Sequence, residues 1–349
     1  MKAFVLKKIG EFTLEELPEP VLKEGEVLLK VENCGICGSD IQRVYKDGAH
    51  NMPLIIGHEF SGRVLDGRGE RASSMIGKRV GVFPLIPCMK CPSCRVKSYE
   101  TCKNYNYLGS RTNGGFGELV AVPEWNLIEL PDNVSFEQAA MLEPLSVALH
   151  AIERVGEITK DESVAIFGAG TIGQLILAHL LSRGIKNIFL MGNHDIQKAK
   201  ALEFGLKEEN FCDIRKEDPK GFILERTEGL GADLAYEVVG ENLTCKQAID
   251  SVSSAGRVTL VGNPHSDMKL ERDLYWKILR GQLKLYGTWN SSFKGQKDDW
   301  KKAIELLEKG LIHPEKLISH RFPLQKIDRG FQIMRDKSED FIKIMCEFS

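Results

Sequence analysis

Ser163-Val164-Ala165-Ile166-Phe167-Gly168-Ala169-Gly170-Thr171-Ile172-Gly173 opens the middle of the chain, and a helical pattern from Gln174 to Ser182 follows it. An apolar run of four residues after Ser163 is a buried strand, and the glycines after it punctuate a tight turn into the helix. On its own a G-x-G-x₂-G spacing says little. Between a strand and a helix it specifies a loop whose backbone can approach a pyrophosphate at the helix N-terminus. Gly168, Gly170, Thr171, Ile172 and Gly173 are therefore the first candidate cofactor residues.

Downstream, Asn187 to Met191 reads as a second strand and Ile196 to Phe204 as a second helix. The end of that strand is where an acidic residue holds the adenosine ribose hydroxyls. Counting back from Phe204-Gly205, the position falls on Gly192, and Asp195 comes three residues late. A small residue there removes repulsion against a 2′-phosphate, and His194 could contact that phosphate. Gly192, Asn193 and His194 thus favour NADP over NAD. Further strands are expected at Asp233–Val239, Arg257–Val261 and Leu283–Tyr286, with helical stretches between several of them. Apolar strands alternating with helices give an α/β fold, a doubly wound parallel sheet of the Rossmann type, over residues 149–288.

The flanks read differently. Residues 1–148 are rich in short strands, with Glu26–Val31 and Arg79–Phe83 the clearest, punctuated by Pro18, Pro20, Gly25, Gly57, Gly62 and Gly67. Residues 289–349 are mixed: Trp300 to Lys309 is an amphipathic helix with Ile304, Leu306 and Leu307 on its apolar side and Gly310 as a stop, and Phe341–Met345 is a final strand. The expected arrangement is a mostly β catalytic domain made from both flanks, with the nucleotide domain inserted. No internal repeat or low-complexity segment interrupts this pattern.

Cysteine spacing supplies the strongest chemical signal. Cys88-x₂-Cys91-x₂-Cys94-x₇-Cys102 places four thiolates within 15 residues, enough to close a tetrahedral shell around one structural ion in a lobe of about 84–107. An iron–sulfur cluster uses the same ligands, but no Pro follows Cys102 and no second cluster motif occurs. The second signal is Cys37, His58 and Glu59, a thiolate, an imidazole and a carboxylate within 23 residues. Those are the ligand types of an open, catalytic Zn²⁺ site. Cys34 competes with Cys37, since Cys34-x₂-Cys37 could form half of a clip; no second C-x-x-C completes it nearby, which favours Cys37. Glu143, in an apolar context, needs a partner. It either meets the metal, directly or through water, or caps a helix as a core carboxylate. Ser39 could relay an alcohol proton and Asp40 could accept the other N–H of His58; both are also ordinary turn residues. An open zinc position acidifies a bound hydroxyl and polarises a carbonyl.

Composition narrows the partners. Of 349 residues, 42% are hydrophobic and 28% charged, with a formal net charge of −2, so no basic excess exists to hold a nucleic-acid backbone. No run of 18 apolar residues and no leader-like N-terminus stands in the sequence, which points away from a membrane. Nine cysteines without a secretory signal suit reduced thiols and metal binding in the cytoplasm.

Together these residues resemble the zinc-dependent medium-chain dehydrogenase/reductase family over essentially the whole chain. The resemblance is carried by Cys37-Gly38-Ser39-Asp40, Gly57-His58-Glu59-Phe60-Ser61-Gly62, the four-cysteine lobe, Gly114-Gly115-Phe116-Gly117-Glu118, Glu143-Pro144-Leu145 and the central glycines. It implies a GroES-like catalytic domain and two Zn²⁺ per subunit. The catalytic ion would fall to Cys37, His58, Glu59 and Glu143, the structural ion to Cys88, Cys91, Cys94 and Cys102. Within the family the chain is similar to the polyol and threonine dehydrogenase branch, which has Glu59 near the metal in place of a second Cys. Lys46-Asp47-Gly48-Ala49-His50, Pro84-Leu85-Ile86-Pro87-Cys88 and Tyr107-Leu108-Gly109-Ser110-Arg111 are similar to members that oxidise sugar-alcohol phosphates. That implies hydride transfer from a polyol phosphate such as galactitol 1-phosphate to NAD(P)⁺, giving a ketose phosphate, with Ser39 as the first proton relay. Lys46, His50 and Arg111 are the candidate phosphate ligands from those segments; Trp289 and Asn290 read either as substrate-lining residues or, for the Trp, as core. The family also implies a homodimer or homotetramer, for which the apolar Leu283–Tyr286 strand is a candidate edge. Departures are Gly192 at the acid position and Val64-Leu65-Asp66-Gly67-Arg68-Gly69-Glu70 in place of a glycine-rich strand turn. Competing readings are a dehydrogenase of an unphosphorylated polyol or secondary alcohol, and a non-catalytic protein that binds zinc and nucleotide.

Overall fold

All four side chains of the Val164–Phe167 strand are buried, as an apolar run covered by helices on both faces must be. Its sheet runs in the order Phe211–Asp213, Ile188–Gly192, Val164–Phe167, Ala232–Glu237, Val252–Leu260, Lys284–Gly287, and every pairing is parallel. Numbered along the chain this is 3-2-1-4-5-6, the doubly wound order whose direction reverses at the first strand. Helices Thr171–Ser182, Asp195–Glu203, Pro219–Arg226, Asn242–Asp250 and Arg272–Gly281 connect the strands. The first of them buries every residue from Gly173 to Leu180. Gly168 holds φ +113°, a left-handed conformation that side chains resist. A Cβ on Gly173 would run into the Gly168 carbonyl oxygen, so the loop and the helix start close up only with glycine.

The computed structural model describes residues 1–348. They form two units, Val147–Asn290 and a second made of Met1–Ser146 with the segment from Ser291 onward. The discontinuous unit is built on one sheet in the order Leu127–Glu129, Arg79–Val82, Glu59–Gly67, Glu26–Ile36, Lys343–Glu347, Ile318–Pro323, with Leu119–Pro123 also paired to Glu26–Ile36. Lys343–Glu347 pairs antiparallel with Glu26–Ile36 and parallel with Ile318–Pro323. The far end of the sequence is therefore stitched into the middle of this sheet, between a strand from the beginning and one from the end.

Sequence reading and structure differ at the margins. The helix expected from Gln174 begins at Thr171, because the glycine loop is tighter than its spacing suggests. The strand expected at Arg257 begins at Val252, through Ala255 in a left-handed turn and a shift of register. The final strand is Lys343–Glu347, two residues later than its apolar run. Ile318–Pro323 carries three polar residues in six and no strand signal, yet it forms an outer strand. No helix among the described residues is long and apolar enough to cross a membrane.

Candidate active site

Cys37 closes the Glu26–Ile36 strand and begins the short helix Gly38–Gln42. Asp40 turns back on this helix: its Oδ2 accepts the Cys37 backbone N–H at 3.1 Å, which fixes the direction in which the thiol leaves the strand. The Oδ1 of Asp40 accepts from Arg43 Nη1 at 2.5 Å and lies 3.4 Å from His58 Nδ1. Asp40 is fully buried. Burial alone would raise its carboxyl, but the charges of His58 and Arg43 and the hydrogen bond from the Cys37 backbone outweigh that and hold it below the ordinary value. His58 is the mirror case: burial alone would lower it, and the Asp40 carboxylate holds it well above the ordinary imidazole value. Asp40 thus faces His58 Nδ1 as a charge partner, with no hydrogen bond made at that nitrogen, and Nε2 is left for other work. Ser39, half-buried, stands between Cys37 and Asp40.

Glu59 begins the strand that pairs with Glu26–Ile36, opposite Gly35. A buried lysine that the sequence reading missed completes it. Lys343 Nζ donates to both carboxylate oxygens of Glu59, at 2.8 and 2.6 Å, and to the Ile36 carbonyl at 3.1 Å. Burial alone would lower the Lys343 ammonium, but Glu59 holds it above the ordinary value. The carboxylate fits because residue 35 is glycine: a Cβ there would overlap Glu59 Oε2. Gly35→Ala is expected to cost about 1–3 kcal/mol, the usual range for overpacking, and to displace Glu59. Denaturation of the variant and its zinc affinity would check both effects.

The donor atoms of Cys37, His58 and Glu59 all lie within 4.8 Å of one another. A soft thiolate, an imidazole backed by a carboxylate and a second carboxylate are a fit set for zinc. Cys34 is not part of it; its sulfur packs where Cβ atoms of Gly57 and Gly115 would fall, fully buried in the core, and burial pushes its thiol up. Glu143, in the first turn of the Leu142–Arg154 helix, stands outside that group of three. It accepts from Tyr107 Oη at 3.4 Å, and burial pushes its carboxyl up to about 7 despite the nearby His58 charge. Tyr107 also sets its ring edge against His58, with centroids 5.8 Å apart. Sequence reading quoted Tyr107 within a segment but gave it no role; an aromatic next to a glycine turn carries no spacing signal.

In the cysteine lobe, Sγ–Sγ distances are 3.5 Å for Cys91–Cys94, 3.8 Å for Cys91–Cys102 and 4.0 Å for Cys88–Cys94. A tetrahedron of sulfurs at roughly 2.3 Å from a zinc has edges of about 3.8 Å. Backbone N–H groups of Cys94 and Lys103 lower the Cys91 thiol to about 6, towards the thiolate a metal needs. Outside its cysteines the lobe has only Tyr99 and Tyr105 packed against them. The segment after Ser291 holds it: Gln296 Nε2 donates to the Val96 carbonyl at 2.9 Å, while Lys294 Nζ ties the same segment to the Trp125 carbonyl beyond the lobe at 2.6 Å.

The expected substrate residues scatter in character. Lys46 and His50 are exposed. Arg111 lies over the Tyr105 ring at 4.2 Å, donates to the Tyr105 carbonyl at 3.2 Å, and keeps Nε buried without a partner. Burial and the charges of Arg111 and Arg43 lower the His50 imidazole, so His50 and two arginines share one neighbourhood. Asn51 Nδ2, donating to the Arg111 carbonyl at 2.9 Å, ties their two loops. Trp289 is 53% exposed, which removes the core reading; Asn290 follows in a left-handed conformation. In the nucleotide unit, Asn193 N and His194 N donate to Gln197 Oε1 at 2.9 and 3.2 Å.

Comparison with known proteins agrees with this layout. Residues 23–132 match the alcohol dehydrogenase GroES-like domain, and residues 171–309 match the zinc-binding dehydrogenase domain. Galactitol 1-phosphate 5-dehydrogenase of Escherichia coli K12 is 33% identical over 92% of both chains. A sorbitol dehydrogenase of Halalkalibacterium halodurans is 30% identical over 99% of this chain and 98% of its own. The crystal structure of the Escherichia coli galactitol-1-phosphate dehydrogenase superposes with a TM-score of 0.90, at 30% identity, over 99% of this chain and 100% of its own. A zinc-binding dehydrogenase of Sinorhizobium meliloti 1021 bound to NADP superposes at 0.89, with 26% identity over 99% of this chain and 98% of its own. An alcohol dehydrogenase of Escherichia coli CFT073 complexed with NADH does so at 0.89, with 29% identity over 100% of this chain and 99% of its own. The chain belongs to the zinc-dependent medium-chain dehydrogenase/reductase family, among relatives that are zinc-type polyol dehydrogenases, and is an oxidoreductase of small-molecule alcohols.

Proposed function

We propose that this protein oxidises a sugar-alcohol phosphate to a ketose phosphate and passes the hydride to NADP⁺. The observation that carries the phosphate is the shared neighbourhood of Arg43, His50 and Arg111, one of which also contacts the Asp40 that faces His58. Cationic groups of this kind recognise phosphate oxygens. Galactitol 1-phosphate is the leading candidate, from the similarity of the whole chain to the galactitol 1-phosphate enzyme.

Cys37, His58 and Glu59 would hold a catalytic zinc, with Glu143 meeting it directly or through water; Cys88, Cys91, Cys94 and Cys102 would hold a structural one. When bound, the catalytic ion supplies Lewis acidity that lowers the pKa of an alcohol hydroxyl. The protein's own groups do the rest. Asp40 backs the His58 ring, Lys343 fixes the Glu59 carboxylate, and Tyr107 orients Glu143. Ser39, beside Cys37, would accept the alcohol proton while handing its own hydroxyl proton on towards solvent. Gly168, Gly170, Thr171, Ile172 and Gly173 form the pyrophosphate loop, and Gly192 sets no carboxylate against a 2′-phosphate.

A panel of phosphorylated and free hexitols and pentitols against NAD⁺ and NADP⁺ tests this reading. Arg111→Ala is expected to raise KM for the phosphorylated polyol at least about tenfold, with little change for the free polyol. Equal effects on both would remove Arg111 from the phosphate site. One observation favours the second reading, a free polyol: Arg111 already spends its guanidinium on the Tyr105 ring and carbonyl.

A further inference from the structure

Gly192 pairs with Asp213 across the parallel strands Ile188–Gly192 and Phe211–Asp213, and Ile214 N donates to the Gly192 carbonyl at 3.0 Å. The chain leaving the outer strand therefore passes beside the position where a ribose-binding acid would stand. Arg215 comes next. Its Nε and Nη2 donate to the two carboxylate oxygens of Asp213, each at 2.7 Å, a fork-on-fork pairing that fixes the plane of the guanidinium. Nη2 also donates to Asp195 Oδ1 at 2.6 Å. Nη1 makes no hydrogen bond among the described residues.

The inner strand offers an incoming phosphate little. A Cβ at position 192 would lie 2.7 Å from Phe211 Cζ, 2.8 Å from Gln197 Oε1 and 2.9 Å from Ala169 Cβ. No acid can stand there unless these neighbours move. The backbone N–H groups of Asn193 and His194, the natural grips at such a turn, are already taken by Gln197 Oε1. What remains is an oriented guanidinium with Nη1 unspent and Nη2 shared with Asp195, against no carboxylate on the inner strand.

We propose that Arg215 is the residue that binds the 2′-phosphate of NADP(H), with Asp213 as its positioning partner and Asp195 as a competitor built into the site. The inference rests on the NADP reading above and names the residue responsible for it. The Asp195 side chain is 87% exposed, so withdrawing it from Arg215 returns it to water at small cost. A phosphate dianion then takes the vacated Nη2 and the unspent Nη1 as a bidentate pair. Without a 2′-phosphate, Asp195 covers the arginine.

Binding of adenosine fragments to the full chain isolates this corner from the chemistry. By calorimetry, wild type is expected to bind 2′,5′-ADP at least about tenfold more tightly than 5′-AMP, the scale of one charge-assisted pair. Arg215→Gln should abolish that preference while 5′-AMP binding holds. Asp195→Asn should widen it by roughly threefold or more, for loss of the competitor. A wild type that binds both fragments equally, or an Arg215→Gln that keeps the preference, overturns the proposal. Should Arg215→Gln fail to fold, the Asp195→Asn result decides, since an unchanged preference there also overturns it. Failure of the polyol reading looks different: no polyol would turn over with either cofactor, while the fragment preference stood.

Discussion

Lys343→Met is expected to destabilise the metal-free protein by about 3–5 kcal/mol, the cost of leaving one partner of a buried ion pair alone. Both groups are almost fully buried, Lys343 at 4% and Glu59 at 1% exposure. Three hydrogen bonds from one ammonium, two to Glu59 and one to the Ile36 carbonyl, vanish together. Methionine has similar length and no charge, so the loss is electrostatic rather than a cavity. Zinc changes the sum, because a cation beside Glu59 replaces part of the missing charge. The variant should therefore lose less stability with zinc than without it, while its kcat/KM falls roughly 10–100-fold, as for other changes behind a metal ligand. Adding Glu59→Gln to Lys343→Met should recover stability in the metal-free form and no activity. Chemical denaturation with and without zinc measures all of this; equal losses in both forms would mean that Lys343 serves packing and not the carboxylate.

Cys94→Ser carries the second large effect. The lobe has little apolar core of its own: around its cysteines only two tyrosines pack. A segment so short cannot bury enough surface to order itself, and the metal's binding free energy, on the order of 10 kcal/mol, is its folding free energy. The variant should hold one zinc where wild type is expected to hold two, and the lobe should open. The opening has a built-in reporter, since Tyr99 of the lobe meets Trp125 edge-on at 5.3 Å, and Trp125 meets Phe293 at 5.3 Å. Trp125 emission should shift to the red as those contacts go. Unchanged zinc content, or unchanged emission with one zinc lost, would count against the lobe as a metal-built element.

These two predictions differ in how far the sequence announced them. The lobe is local: its four sulfurs sit on 15 residues, so spacing alone implied distances that the structure places at 3.5–4.0 Å. Cys37, His58 and Glu59 were legible for the same reason, and so was the alternating pattern of the doubly wound sheet. Lys343 was not. It is separated from Glu59 by 284 residues, and it lies in a run of Ile342, Lys343, Ile344 that reads as a strand with one polar side chain turned outward. Only register shows that the lysine points into the protein. Arg43 and Tyr107 were missed because each acts through a partner, Asp40 and Glu143, and not on a ligand. Gly192 illustrates a subtler limit: the missing acid could be read, but not that Gln197 and Phe211 fill its space.

The strand Lys343–Glu347 sits between Glu26–Ile36 and Ile318–Pro323, and this gives the protein a timetable during synthesis. The uninterrupted Val147–Asn290 unit has every strand it needs before the last third of the other unit exists. Glu59 leaves the ribosome 284 residues ahead of Lys343. At 5–20 residues per second that is an interval of roughly 15–60 s. Through that interval the Asn33–Ile36 part of the Glu26–Ile36 edge, which Lys343–Glu347 covers, is bare, the Ile318–Pro323 strand has nothing to join it to the sheet, and the carboxylate is without its cation. The nascent chain is most open to strand-pairing with a neighbour on the same message then, and a chaperone that shields one edge would have its work to do in that window.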